Sequence, residues 1–409
     1  MSRRWNILAW IILASVFLGM SVYLILNPTR TGVVPNYRFA ATHWWDSASM
    51  YPGGTHGFLY APPFAVFFTP LNLLRPEILG EILWRGFGFG LFAWSLLNLS
   101  LNVAAPFINP DAKAANFSFA EREIRMGEGR SEGAKRGLPN ADLSFLALVL
   151  LSIPASLASL NNGQTNLPLS ACLVLAALSV RDQKWSFAAG LLSFSLLLKP
   201  IALAPWLLAF AVIPAVRKPL LVGLPILGIV GFLHPNPAYA WSQWVDFFVK
   251  LSHSYTPENL RVSDLFGAIG KSGIHVPLIL DQGARALACL GALAWVWQAF
   301  RRQGLAGTSW ALWVATALVF TVFNPRAETN SYVLISPLLA FAAVSYWREG
   351  DKWKGWVLAA ASIGLMCDGM GLWIYQATDV WFKPVIVLLV SPLLFRMPRP
   401  WEVKLRDST

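Results

Sequence analysis

"GFLYAPPFAVFFTPLNLL", residues 57–74, decides how the chain is threaded. It is too apolar for a solvent loop, and Tyr60 is followed by Pro62, Pro63 and Pro70, too many prolines for an ordinary helix interior. Suppose it crossed a membrane together with the apolar run at 78–104. Every later basic loop would then face away from the basic start "MSRR". One crossing must be dropped. Pro62 and Pro63 lack backbone donors and resist helix continuation, so 57–74 is the one to drop. It reads as a juxtamembrane or re-entrant element on the outer side, its backbone covered by protein or a wet cavity.

The composition places the rest of the chain in the same setting. Of 409 residues, 56% are hydrophobic and 13% charged, whereas a soluble domain carries about a quarter charged residues. Charges cluster between long apolar runs, as in a polytopic all-α membrane protein. The net charge of +11 does not argue for nucleic acid, because Lys and Arg sit mainly in short loops between those runs. The 20 tryptophans suit interfacial belts or the lining of a carbohydrate site. Cys172, Cys289 and Cys367 form no CxxC or Cys/His grouping, so neither a disulfide framework nor a metal site is expected. No phosphate-binding glycine loop or nucleophile elbow is present.

Hydropathy predicts about twelve spans: 6–26, 78–104, 143–160, 166–181, 186–199, 200–216, 219–234, 276–299, 309–324, 331–347, 355–375 and 381–395. The expectation is one integral membrane domain over 1–409, with a first outer loop at 27–77, a cytoplasmic loop at 105–142 and a large outer loop at 235–275. "RDQK", Arg217-Lys218, "RRQG" and "REGDKWK" fall inside, while "NNGQTN", the Lys199–Pro200 turn, "NPRAETN" and "QATDVWFK" fall outside. No internal repeat is evident, which weighs against a transporter.

The polar residues that can carry chemistry gather at the outer turns. Asp46 is the only carboxylate of 27–61, beside His43, Tyr51 and His56; it reads as a general base or as a solvated turn cap. Lys199, alone between apolar runs, reads as a phosphate-binding charge or a snorkelling side chain. Asn162, Gln164 and Asn166 can cap a helix or bind sugar hydroxyls. In "FNPRAETNSYV", Arg326 can grip a phosphate or pair internally with Glu328, with Asn330 and Tyr332 close by. Loop 234–275 holds an amphipathic aromatic stretch that can lie along the membrane surface. Asp368 is expected to be buried and paired, with no partner assignable from sequence.

Two of these stretches carry a resemblance. "GFLYAPPFAVFFTPLNLLRPEILGEILW" resembles the "YPPLFALLLAPLALLP…LW" signature of the polytopic glycosyltransferase family 87. "NNGQTNLPLSACLVLAALSVRDQKWSFAAGLLSFSLLLKP" resembles that family's "GQ-N-L…A-G…KP" stretch, in the same order and spacing. The resemblance implies a GT-C fold in a bacterial inner membrane. It also implies a polyprenyl-phosphate sugar donor, often mannose, and inverting transfer to a lipid or glycan acceptor on the extracytoplasmic face, without cofactor or metal. A carboxylate would take the acceptor proton while Lys199 and Arg326 balance the departing phosphate. Tyr60, His56, Gln164, Asn162 and Asn330 would line the substrate. The family's base is an aspartate early in the first outer loop, where this chain has Asn36, which cannot act as a base. Four readings stay open: Asp46 serves instead, the alignment slips, another acid such as Glu328 takes the role, or the chain has lost transfer activity. The alternative from another class is a secondary transporter or lipid flippase.

Overall fold

The structure is a computed structural model that describes residues 2–29, 32–53, 57–104, 143–254 and 262–397. Among these every regular element is helical. The chain runs α1 (Ser2–Leu26), α2 (Val34–Trp45), α3 (Pro62–Asn72), α4 (Glu77–Ala104), α5 (Leu143–Asn162), α6 (Asn166–Arg181) and α7 (Trp185–Leu198). It continues through α8 (Leu203–Val212), α9 (Pro214–Val230), α10 (Pro237–His253), α11 (Leu265–Lys271) and α12 (Leu278–Val322). The last helices are α13 (Ser336–Glu349), α14 (Lys352–Gly364), α15 (Leu372–Thr378) and α16 (Phe382–Phe395). Two 3-10 turns, Pro200–Ala202 and Thr329–Leu334, complete the elements used below. The loop 105–142 and His56 lie outside the described residues.

Residues 62–72 of the opening stretch are helical, which corrects the expectation that Pro62 and Pro63 resist a helix there. Pro62 and Pro63 occupy the first positions of α3. There the missing N–H groups have no intrahelical partner to lose, and the fixed φ suits a helix start. The preceding loop also hides a helix. Val34, Tyr37, Arg38, Ala41 and Trp44 are buried at helical spacing on α2, which packs on α3.

α6 forms the centre: every residue from Asn166 to Val180 is buried. It packs on α4, α5, α7 and α12. One apolar core joins α1, α4, α5, α13, α14 and α16 on one flank; a second joins α2, α3, α7, α8 and α9 on the other. The exterior is apolar too. Ile11, Leu18 and Leu26 on α1, Leu221, Ile226 and Ile229 on α9, and Ile279, Leu287 and Leu290 on α12 all point outward. In water such a surface would aggregate; in lipid it is the ordinary exterior.

Among the described residues four helices are long and apolar enough to span a membrane, within α1, α4, α5 and α12, and the pair α15–α16, bent by 95°, makes at most a fifth. Several expected spans are broken. Ile213 alone separates α8 from α9, which starts at Pro214, so Arg217-Lys218 lie inside a helix and Arg217 donates to the Phe210 and Ala211 carbonyls. The expected span 355–375 stops at Gly364, because 365–371 turns before α15.

α12 is not one rod. Arg285 donates to the Phe323 carbonyl, 38 residues later, although a straight helix would separate them by about 57 Å. Gly304, with φ 65° and ψ −162°, is the break. The run is therefore a hairpin with arms 278–303 and 305–322, where spans at 276–299 and 309–324 were expected.

Turns collect at two ends of the bundle. At one end Ser159 meets Asn330, Gln164 meets Glu328, and Lys383 meets Thr329. At the other, Arg348 meets Ser144, Ser309 meets Ala177, and Trp310 meets Leu394.

Candidate active site

The site is built on the tight turn between α5 and α6. Gly163 adopts φ +63°, and a Cβ there would overlap Val34 and crowd Arg85. α4 holds this turn from below. Trp84 Nε1 donates to the Gly163 carbonyl at 2.7 Å, and Arg85 donates to the Leu160 and Asn161 carbonyls at 3.1 and 3.0 Å. Arg85 thus caps the last carbonyls of α5 while paired with buried Glu81 at 3.0 Å. Val33 N donates to the Asn162 carbonyl at 3.0 Å. Asn162 therefore serves the turn through its backbone.

Held in this way, Gln164 and Asn166 enter one hydrogen-bonded chain. Lys199 Nζ donates to Asn166 Oδ1 at 2.8 Å, Asn166 Nδ2 to Gln164 Oε1 at 2.9 Å, and Gln164 Nε2 to Glu328 Oε2 at 3.1 Å. The ends fix the orientation of both amides, because ammonium only donates and carboxylate only accepts. Asn330 Nδ2 also donates to Glu328 Oε2, at 3.0 Å. Glu328 and Ser331 form a reciprocal capping box that starts the Thr329–Leu334 turn. That turn is tied to α5 by Ser159 and to α6 by Ser170, each 3.0 Å from a turn carbonyl.

Two phenols close the next side. Tyr37 and Tyr60 share a hydroxyl–hydroxyl bond of 2.9 Å. The 57–74 stretch supplies their setting: the Tyr37 ring meets Tyr60, Phe64, Phe68 and Trp84 with centroids 4.9–5.9 Å apart. Burial raises both phenols above their ordinary pKa, and Glu328 acts in the same direction. Both therefore keep their protons at neutral pH.

Cations gather around Glu328 and Arg326. Arg326 donates to the Ser254 carbonyl and lies within electrostatic reach of Glu328, Lys199 and Lys250. Burial lowers its pKa, and Glu328 counters that shift. Lys250 Nζ donates to the Pro52 carbonyl at 2.7 Å. Lys250 belongs to α10, which buries Ala240, Gln243, Phe247 and Lys250 and exposes Trp241, Val245 and Phe248. A mixed inner face carrying Gln243 and Lys250, with Trp241, Val245 and Phe248 outward, suits a helix lying in a lipid interface. Its buried face also grips the first loop: Gln243 accepts from Met50 N, and Tyr239 donates to Ala48 O at 2.6 Å.

The structure thus brings together Lys199, Gln164, Glu328, Asn330, Arg326 and Tyr60. Asp46 is elsewhere, exposed at the C-terminal end of α2. It lies nine residues, or about 13 Å of helix, beyond Tyr37. Its charge is felt by Tyr239, whose pKa burial and Asp246 with Asp46 push up to about 12. Among the described residues no group of His, Cys, Asp or Glu is placed to hold a metal.

The profile of glycosyltransferase family 87 matches residues 58–325, more than half of the chain. The chain belongs to glycosyltransferase family 87. This family-87 chain is a membrane glycosyltransferase, acting between a sugar donor and an acceptor. Tyr60, Gln164, Asn166 and Lys199 fall inside the matched segment; Tyr37, Arg326, Glu328 and Asn330 flank it. No curated protein and no solved structure matches the chain.

Tyr37 was missed by sequence reasoning because its segment read as loop. The signal was present as Val34, Tyr37, Ala41 and Trp44 at helical spacing.

Proposed function

We propose that this family-87 chain transfers a hexose or pentose, mannose foremost, from a polyprenyl-phosphate donor to a lipid or glycan acceptor. Transfer occurs on the extracytoplasmic side of a bacterial inner membrane, with inversion. The fold is of GT-C type, and the chain crosses about twelve times, with the α12 hairpin counting as two crossings. The turns near Glu328 and the first loop form the outer end, and Arg181, Arg301, Arg302 and Arg348 lie toward the inner one.

One observation carries this reading: the chain from Lys199 through Asn166 and Gln164 to Glu328, with Arg326 beside it. Lys199, Arg326 and Lys250 outnumber the single carboxylate Glu328 among these groups, which suits an anionic ligand. Lys199 and Arg326 receive the lipid phosphate as it departs. Glu328 takes the acceptor hydroxyl proton, and the freed oxygen attacks the anomeric carbon opposite the phosphate. Tyr60 and Asn330 donate hydrogen bonds to sugar hydroxyls.

The test uses purified protein in lipid nanodiscs with radiolabelled polyprenyl-phosphate mannose and membrane lipid extract. Transfer by wild type, lost in Glu328→Gln and kept in Asp46→Asn, supports the assignment. The reverse pattern moves the base to the first loop. Failure of wild type to release lipid phosphate from this or other polyprenyl-phosphate sugars overturns the donor class and favours a transporter.

A further inference from the structure

Thr329 stands between Glu328 and Asn330, and its carbonyl and its hydroxyl are both held from the C-terminal part of the chain. Lys383 Nζ, at the start of α16, donates to the Thr329 carbonyl at 3.0 Å. The Thr329 hydroxyl donates to Asp368 Oδ2 at 2.5 Å, and Asp368 Oδ1 accepts from Lys383 at 3.0 Å. Lys383 is buried, and Asp368 is two-thirds covered with 32% of its side chain exposed. This ring of three contacts supplies the partner of Asp368. It lies beyond the segment that matches the family profile.

We propose that Lys383 and Asp368 are positioning residues that fix the Glu328 carboxylate through Thr329. This rests on the reading of Glu328 as the base. Elsewhere in the turn the Asn330 and Val333 carbonyls are held by Ser159 and Ser170. Lys383 is a further hold: without it the Thr329 carbonyl loses its lysine, Asp368 is left with the hydroxyl alone, and the segment that carries Glu328 is loosened. A displacement of about 1 Å at a reacting group costs up to about a hundredfold in rate. The ring makes no direct contact with Lys199 or Arg326, so the larger effect falls on the proton-transfer step. Burying a lysine at the apolar start of α16 is otherwise costly, and a single carbonyl and carboxylate are what offset it.

The experiment compares Lys383→Met, Lys383→Arg, Thr329→Val and Glu328→Gln in nanodiscs by hydrogen–deuterium exchange and by turnover of polyprenyl-phosphate mannose. In Lys383→Met, exchange in the peptide 324–334 should rise about tenfold while α4 and α6 stay protected. Its kcat should fall about tenfold or more, with a smaller rise in donor KM through Arg326 and Asn330. Lys383→Arg should recover both, and Thr329→Val should lie between. Unchanged exchange in Lys383→Met, or an arginine variant no better than methionine, overturns the proposal. Glu328→Gln separates the two claims. If it retains turnover, the base assignment fails whatever the exchange shows; if it is inactive while Lys383→Met matches wild type in both readouts, only the brace fails.

Discussion

Lys199 and Glu328 are joined by two side-chain amides whose donors all point from the lysine toward the carboxylate. Neither amide can flip without setting donor against donor or acceptor against acceptor. The link therefore fixes the ammonium and the carboxylate relative to each other without neutralising either.

Asn166→Asp tests this polarity. Aspartate accepts from Lys199 but cannot donate to Gln164 Oε1. Its added negative charge also competes with the donor phosphate for Lys199. Donor KM should rise about tenfold, equivalent to about 1.4 kcal/mol, with the protein still folded. A KM equal to that of wild type would show that Lys199 is not a phosphate ligand.

Arg85 and Glu81 should respond unequally to removal. Both are buried, with side chains 1% and 5% exposed. Arg85→Met leaves Glu81 charged and unpaired, and also releases the Leu160 and Asn161 carbonyls. A loss of about 3–5 kcal/mol is expected, with a fall in activity because the Gln164 turn loosens. Glu81→Gln keeps an acceptor for Arg85 and leaves those carbonyls bonded, so it should cost less. Denaturation in detergent reads the order, and equal losses would show that Arg85 does not hold the turn.

Gly163→Ala should damage the same turn by a different route. At φ +63° an alanine is strained by about 1–2 kcal/mol, and its Cβ runs into Val34. Melting temperature should drop, and donor KM should rise with it because Gln164 and Asn166 follow the turn. An unaltered melting temperature would mean that α2 yields to the extra carbon.

Much of this site was legible because membrane proteins punish stray polar groups. Lys199, Gln164, Arg326 and Glu328 stood out against apolar runs, and parity placed them at one end. Their convergence was not legible, since Gln164 and Glu328 are 164 residues apart and no periodicity reports such a contact. Proline misled at 57–74, because the rule against proline in helices does not apply at a helix start. Lys383 precedes Pro384 at an apolar run just as Lys199 precedes Pro200. The same signal was present twice and used once.

The α12 hairpin yields a test of the crossing count. Arg285 binds Phe323 O, Asp264 at 2.6 Å and Asp281 at 2.5 Å, pinning both arms and the loop before α11 at one end. Gly304 and exposed Gln303 are at the other end. With Cys172, Cys289 and Cys367 replaced by serine, single cysteines at His275, Gln303 and Phe323 can be labelled with a membrane-impermeant maleimide. The hairpin requires 275 and 323 to react from one side and 303 from the other. A straight helix would set 275 and 323 at opposite ends, about 70 Å apart, more than twice the hydrocarbon thickness. Labelling of 275 and 323 from opposite sides would remove the hairpin and shift the side of every turn that follows, Glu328 included.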